Sequence, residues 1–463
     1  MPNRQLMAAL LALAALVTAS AATVAVGGTL AHRGPLDRWY ALDAALFAVS
    51  LLLLRRVPRH QVAALVLAGS AAVAAVGLLA PPRTSDDAYR YVWDGRVQAA
   101  GLSPYAYPPQ APELARLREP GLFPVTGGCT GWDERRTADG ACTRINRPAV
   151  HTIYPPVAEA WFLALHPFGG GVRAVQAAGA LLAVATTGAL LLVGGAERWR
   201  AALWGWCPGL TVWSVNDAHI DTLGALLMVA GLGCLARRPG RPGPRERRRA
   251  WTGGALLGGA VATKLLPVLA LPGALSGVLA RRPTRRDLLA PVAALGVFAL
   301  SYLPYLAVSG RGVLGYLPGY LREEGYEADG IQRFGLLRLV LPDRLVPAAA
   351  VLVLGAVLLG VLRFGDPGRP WRGALLVTGS ALLLVEPDYP WYGLLVVALV
   401  ALDGRWEWLA VPAAGQALYL AGGALQVQQA AYGAALACVL AGALLRWRRA
   451  GAAVTARGAV AGH

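Results

Sequence analysis

The sequence predicts an all-α fold: a polytopic transmembrane helical bundle of about 12 spans, with a large external loop bearing short helices. Three observations predict it. Of 463 residues, 56% are hydrophobic and only 15% charged, against about 45–50% and about 25% in soluble domains. The apolar residues fall in blocks near twenty long, the length an α-helix needs to cross a hydrocarbon core about 30 Å thick. Charges collect between the blocks. This composition excludes a disordered chain, a collagen-like chain and an ordinary soluble enzyme.

The net charge of +17 comes from 42 Arg and a single Lys, Lys264, among 43 basic residues. The arginines run beside apolar blocks, at Arg55/Arg56/Arg59, Arg237 to Arg249, Arg281/Arg282/Arg285/Arg286 and Arg446/Arg448/Arg449. That is the positive-inside pattern of a membrane protein. A nucleic-acid binder carries its basic residues on a folded polar domain, and the sequence has none. The expected surroundings are membrane lipid, with no nucleic acid partner.

In order, the expected spans are 6–27, 39–54, 61–80, 172–193, 200–215, 220–236, 288–308, 345–363, 373–386, 391–403, 407–424 and 429–446. The first block reads as a retained helix or, from Thr18-Ala19-Ser20-Ala21, as a signal peptide. Arginine parity puts both termini in the cytoplasm, and segment 81–152 and the turn Asn216–Asp221 outside a plasma membrane. Two stretches resist a simple span. Residues 154–168 hold only about 20 Å of helix after Pro155-Pro156. Residues 252–280 lie between two arginine runs that both belong inside, and Pro267 divides them. They read as a re-entrant hairpin lining a cavity or as one kinked span. The organisation is then N-terminal helices over 1–80, an external loop over 81–152, the bundle over 153–447 and a cytoplasmic tail over 448–463.

The external loop of about seventy residues holds most of the polar chemistry. Cys129 and Cys142 lie within it and read as a disulfide in an oxidising compartment, or as two free thiols. Cys207, Cys234 and Cys438 fall in spans and read as small apolar fillers. The loop opens with Thr84-Ser85-Asp86-Asp87-Ala88-Tyr89-Arg90-Tyr91-Val92-Trp93-Asp94-Gly95-Arg96. Thr84 or Ser85 suits an N-cap, and acids in the first turn suit the helix dipole. At helical spacing Asp87, Tyr91 and Asp94 share a face, with Arg90 in reach of Asp86 and Asp94. Carboxylates, aromatics and Arg at the membrane surface suit chemistry on a lipid-linked substrate; a solvated amphipathic helix accounts for them too. The Tyr/Pro turns at Gly101–Pro109, which include Tyr105, and at His151-Thr152-Ile153-Tyr154-Pro155-Pro156 read as a sugar platform or as interfacial anchors.

Ionisable groups near membrane depth are costly and mark function by default. Three sites stand out: Asn216-Asp217-Ala218-His219-Ile220-Asp221, Lys264, and Glu386-Pro387-Asp388-Tyr389-Pro390-Trp391-Tyr392. The first and last also read as hydrated turns, and Lys264 as a snorkelling side chain. A compact ammonium suits a phosphate as a point charge.

These motifs, in this order, resemble the C-type (GT-C) integral-membrane glycosyltransferases. The order is the acidic pair after a span, Tyr-Arg-Tyr-Val-Trp-Asp-Gly-Arg, Gly-Leu-Ser-Pro-Tyr, Ile-Tyr-Pro-Pro, Asn-Asp-Ala-His-Ile-Asp, Ala-Thr-Lys-Leu-Leu-Pro and Pro-Trp-Tyr. Over residues 80 to 400 the chain is most similar to family 87-like polyprenyl-phosphate-mannose-dependent mannosyltransferases. The resemblance implies inverting transfer from a polyprenyl-phosphate sugar donor, with mannose the expected sugar, to a glycan or lipid acceptor on the outer face. An acidic residue of the first external loop would be the base. That role falls on Asp87 or on its neighbour Asp86. Two adjacent acids are a departure from a simple pattern.

The residue chemistry is consistent with this. A sugar phosphate already carries its leaving group, and no Gly-rich phosphate loop follows a strand. No cofactor and no metal ligands are assigned. Inversion needs one base and cations for the departing phosphate, for which Lys264, Arg90 and Arg96 are candidates. The other candidate substrate contacts are Tyr91, Asp94, Tyr105, His151, Tyr154, Asn216, His219, Asp221, Glu386, Asp388, Tyr389, Trp391 and Tyr392. A lipid-linked-sugar transporter or flippase would also use broken helices and midplane charges. A non-catalytic partner in cell-envelope glycan assembly is the third reading.

Overall fold

A computed structural model describes residues 4–125, 127–237, 243–315, 317, 319–320 and 333–460. Of the Arg237–Arg249 run, Arg238 and Arg241 lie outside them. The fold is a polytopic bundle of α-helices. Its described strands are one two-residue antiparallel pair, Arg135–Arg136 against Cys142–Thr143.

Among the described residues, six helices are long and apolar enough to cross a membrane: Arg4–Val26, Arg59–Leu79, Val172–Val193, Arg285–Leu314, Asp343–Phe364 and Leu425–Arg449. Leu210–Asn216 and Asp221–Leu235, bent by 108°, supply a seventh if taken as one broken span. The expectation of about twelve is thus corrected, and each lost span has a local cause. Helix Gly34–Leu54 carries Asp37, Arg38 and Asp43. The block 200–215 is interrupted at Cys207-Pro208 and resumes as the π-helical turn Leu210–Asn216. Asp221–Leu235 has 15 residues. Pro370–Val385 stops after 16 residues at Glu386, whose φ is 54°. Leu394–Asp403 and Ala410–Leu420 have 10 and 11 residues.

The stretch 252–280 does not continue as a single helix. Helix Pro244–Thr263 stops at Lys264, whose backbone is extended. Short turns Leu266–Ala270, Leu271–Ala274 and Val278–Ala280 follow. The break falls at Lys264 rather than at Pro267, which sits in the first turn of Leu266–Ala270, where a proline needs no donor. Arg245–Arg249 and Arg281–Arg286 come together around one cavity, so both ends of the stretch lie at one end of the molecule. Arg237 and Arg281 both pair with Asp287 there.

Helix Pro244–Thr263 packs tightly on helix Leu289–Ser309. A Cβ built on Gly254 would lie 2.3 Å from the Ala290 carbonyl oxygen, and one on Gly258 the same distance from that of Ala294. Two glycines four apart on a helix let backbones touch, which is how membrane helices associate without a hydrophobic driving force.

The loop 81–152 folds over an apolar core. Trp93, Leu114, Leu122, Phe123 and Ile145 are buried there. The same core takes in Phe162 of the ten-residue helix Pro156–Leu165, Val175 and Leu182 of Val172–Val193, and Leu223. The Sγ atoms of Cys129 and Cys142 are bonded, with Cα atoms 5.5 Å apart.

Candidate active site

The site begins with a clamp. The Asp217 carboxylate accepts backbone N–H bonds from Arg83, Thr84 and Ser85 at 3.2, 3.1 and 3.2 Å, and also the Thr84 hydroxyl. Beside it, the Asn216 amide donates to the carbonyls of Gly77, Ala80 and Pro81 at 3.2, 3.0 and 3.1 Å. Both side chains are buried. A buried carboxylate satisfied by three backbone donors fixes the segment that delivers Asp86 and Asp87. Of the two expected caps, Thr84 is thus drawn to Asp217, and Ser85 Oγ accepts the Asp87 N–H at 3.3 Å.

Helix Asp87–Ala99 therefore starts at the wall of a cavity of about 650 Å³. Asn146 donates to Asp87 at 2.5 Å and to Asp86 at 3.2 Å, and Arg135 pairs with Asp86. Behind Asp87, the fully buried His219 ring brings Nδ1 to 3.4 Å from the carboxylate. That ring stacks on Trp391 with centroids 3.8 Å apart. Ala218, between Asp217 and His219, has φ 56°. This left-handed turn, strained for a non-glycine residue, is where the chain passes from the clamp residue to the ring behind Asp87.

Lys264 Nζ is 2.6 Å from the buried Asp221 carboxylate and 4.9 Å from the Tyr392 ring centre. Among the described residues the cavity is lined by cations Arg33, Arg135, Arg147 and Lys264, by carboxylates Asp86, Asp87 and Asp388, and by seven aromatic side chains. Cations suit a phosphate and aromatic faces suit a sugar ring, so one wall has the means to hold each half of a sugar phosphate.

The two acids differ electrostatically. Burial, opposed by Arg135 and aided by the Asp87 charge, raises the Asp86 pKa. Burial also pushes on Asp87, but the His219 contact and the charges of Lys264 and Arg147 outweigh it and hold its pKa at about 2.

Of the residues expected at a site, Asp86, Asp87, Tyr154, Lys264, Asp388, Tyr389, Trp391 and Tyr392 line the cavity. His219 and Asp221 touch it from behind, through Asp87 and Lys264. The others lie elsewhere. Arg90 is buried in a pair with Asp94 at 3.0 Å and donates to the Val150 carbonyl, so neither member of the pair faces the cavity. Tyr91 is sealed by stacking on Phe162. Arg96 pairs with Glu119. The Tyr105 hydroxyl is used by the Tyr154 carbonyl at 2.5 Å. His151 is not among the lining residues. Asn216 is consumed by the clamp, and Glu386 is fully buried, accepting the Leu336 N–H at 2.8 Å.

The cavity is also lined by Arg33, Trp132, Arg135, Asn146, Arg147, Tyr320 and Tyr419, none of which is a candidate on sequence alone. Asn146 and Arg147 belong to the turn Arg144-Ile145-Asn146-Arg147-Pro148, which carries no separate signal of its own. Arg147 has φ 44°, a strain the sequence does not display. Among the described residues, the one cluster of three His, Cys, Asp or Glu side chains spaced for a metal is Cys129, Glu134 and Cys142. Two of its members form the disulfide.

Compared with protein-family models, with curated proteins and with solved structures, the chain matches none.

Proposed function

We propose that this membrane protein is an inverting glycosyltransferase. It takes a sugar, mannose in our reading, from a polyprenyl-phosphate donor at the outer face of the plasma membrane and passes it to a glycan or lipid acceptor. One observation carries the reading: Asp87 shares a cavity with Arg147, Lys264 and a group of aromatic rings, while Asn146 and His219 hold its carboxylate from two sides.

Asp87 acts as the base. The acceptor hydroxyl gives its proton to the Asp87 carboxylate as its oxygen bonds to the anomeric carbon. The bond from that carbon to the phosphate oxygen breaks on the opposite face, and polyprenyl phosphate leaves with the electron pair. Arg147 and Lys264 stabilise its charge. A carboxylate with a pKa of about 2 is a weak base. Donor phosphate neutralises the same two cations that depress it, so Asp87 becomes more basic when the donor is bound. The fitting test is turnover of radiolabelled polyprenyl-phosphate sugar by purified protein. Label should reach the acceptor with wild type and not with Asp87→Asn.

The 108° break between Leu210–Asn216 and Asp221–Leu235 favours a second reading, a transporter of lipid-linked sugars. In that case the labelled lipid crosses the bilayer with its sugar–phosphate bond intact.

A further inference from the structure

At the far end of the bundle lies a second cavity, of about 950 Å³. Three helices join it to the acidic one. Asp221–Leu235 runs from the residue that pairs with Lys264 to Leu235 in the second cavity. Pro244–Thr263 starts in the second cavity and ends beside Lys264. Leu289–Ser309 starts there too, and Ser309 bonds Ser103 of the external loop. The last of these belongs to the membrane-crossing helix Arg285–Leu314, and its 21 residues span about 30 Å, one hydrocarbon thickness. The two cavities therefore face opposite leaflets.

Six arginines line the second cavity, Arg237, Arg245, Arg247, Arg249, Arg281 and Arg286, against two acids, Glu246 and Asp287. Asp287 is occupied by Arg237 and Arg281, and Arg249 by the Gly233 and Cys234 carbonyls. The side chains of Arg245, Arg247 and Arg286 have no hydrogen bond or ion pair among the described residues. Three guanidinium groups against the single remaining carboxylate of Glu246 leave the space with a net positive charge, which suits an oxyanion bound by paired N–H donors. Its source follows from the flanks. Trp251, Leu288, Val292 and Leu295 are 45 to 67% exposed beside the cavity, and the apolar stretch of Arg285–Leu314 is mostly unburied. The cationic space thus opens onto a lipid-facing apolar surface.

We infer that this cavity binds the phosphate headgroup of an anionic phospholipid in the leaflet opposite the acidic cavity. Headgroup phosphate meets Arg245, Arg247 and Arg286, and the acyl chains run along Leu288, Val292 and Leu295. The site is separate from the proposed transfer chemistry.

Native mass spectrometry of the full-length protein, released from mixed micelles of phosphatidylglycerol or phosphatidylcholine, tests it. Wild type should retain phosphatidylglycerol saturably and in preference to phosphatidylcholine. Arg247→Gln/Arg286→Gln should lower that affinity on the order of tenfold or more, since each cation near a bilayer adds measurably to anionic-lipid binding. Arg247→Lys/Arg286→Lys, which keeps the charge, should retain most of it and guards against misfolding of the Gln variant. Arg448→Gln/Arg449→Gln removes the same charge elsewhere and should change nothing. An equal loss in that last variant overturns the inference, because attraction would then follow net charge alone. Equal retention of both lipids overturns it as well. So does displacement of the lipid by low-millimolar inorganic phosphate, which would mark a site for a soluble anion.

Discussion

His219 lies flat against Trp391, with rings 3.8 Å apart and 16° from parallel, and so presents Nδ1 to Asp87 at 3.4 Å. A stacked ring cannot rotate away, so the indole fixes which edge of the imidazole the acid meets. His219→Phe keeps the stack and removes the nitrogen. Transfer should fall, and the acid limb of the pH–rate profile should move to higher pH, because a lowering influence on Asp87 is gone. A loss of rate with an unmoved acid limb would leave His219 a packing residue.

Asp87→Asn should lower transfer by about 10²–10⁴-fold, the usual worth of a general base, with donor binding retained. Its folded pKa lies below the ordinary carboxylate value. The stability this shift contributes is present above pH of about 4 and lost as pH falls through about 2. The variant should therefore show a shallower loss of stability in acid. Thermal unfolding across pH 2 to 7 gives the second readout. Full activity in Asp87→Asn with loss in Asp86→Asn would transfer the role by one residue.

Lys264→Met should weaken donor binding and also destabilise the protein, because Asp221 would be left buried and unpaired. Breaking a buried pair costs about 3–5 kcal/mol. The double variant Lys264→Met/Asp221→Asn should regain stability without regaining donor binding. Recovery of both would make Lys264 a structural partner only. Lys264→Arg should rescue binding in part, since a planar fork replaces a point charge.

Glu159 and Asp94 lie together below the site, and the Glu159 carboxyl also meets Thr152 at 2.7 Å and Gln98 at 2.8 Å. Burial, then the neighbouring acid, raises the Glu159 pKa well above its ordinary value; burial also raises that of Asp94. An acid raised this way favours the folded state while protonated and costs stability as pH rises through the folded pKa. Glu159→Gln should flatten the loss of stability expected in wild type as pH rises from the ordinary glutamate pKa toward the raised one. A steeper loss in the variant over the same range would contradict a protonated Glu159 in the folded state.

The Cys129–Cys142 bridge closes a short loop from which Arg135 reaches Asp86. Cys129→Ser/Cys142→Ser should cost about 3 kcal/mol in the chain-entropy account and lower activity moderately through a less constrained Arg135. Calorimetry with and without reductant checks the first effect, and transfer assays the second.

Membrane character was legible because apolar blocks and arginine runs are compositional. The number of crossings was not. A hydropathy window reads through the π-helical turn at Leu210–Asn216 and the left-handed Glu386, where the helix itself ends. Lys264, Asp87 and the Pro390–Tyr392 turn were legible because charge and aromatic polarity stand out against apolar neighbours. Arg90, Arg96 and Asp94 stood out for the same reason, yet each has its partner within the loop, Arg90 and Asp94 in its core and Arg96 nearer its surface. A sequence shows the charge and not the direction in which it is satisfied. Asn146 and Arg147 were illegible because their value lies in a tertiary approach to Asp87 from sixty residues away.

The segment 81–152 does not own the core it is built on. Its tryptophan, leucines and phenylalanine close against Phe162, Val175, Leu182 and Leu223, and its first turn hangs from the carboxylate of Asp217. Cut out as residues 81–152 and expressed in water, it would expose the side chains that close against those helices and lose the anchor for Asp86 and Asp87. Antibodies or inhibitors raised against such a fragment would meet a different surface from the one in the bilayer, so work on this region needs the membrane-embedded chain.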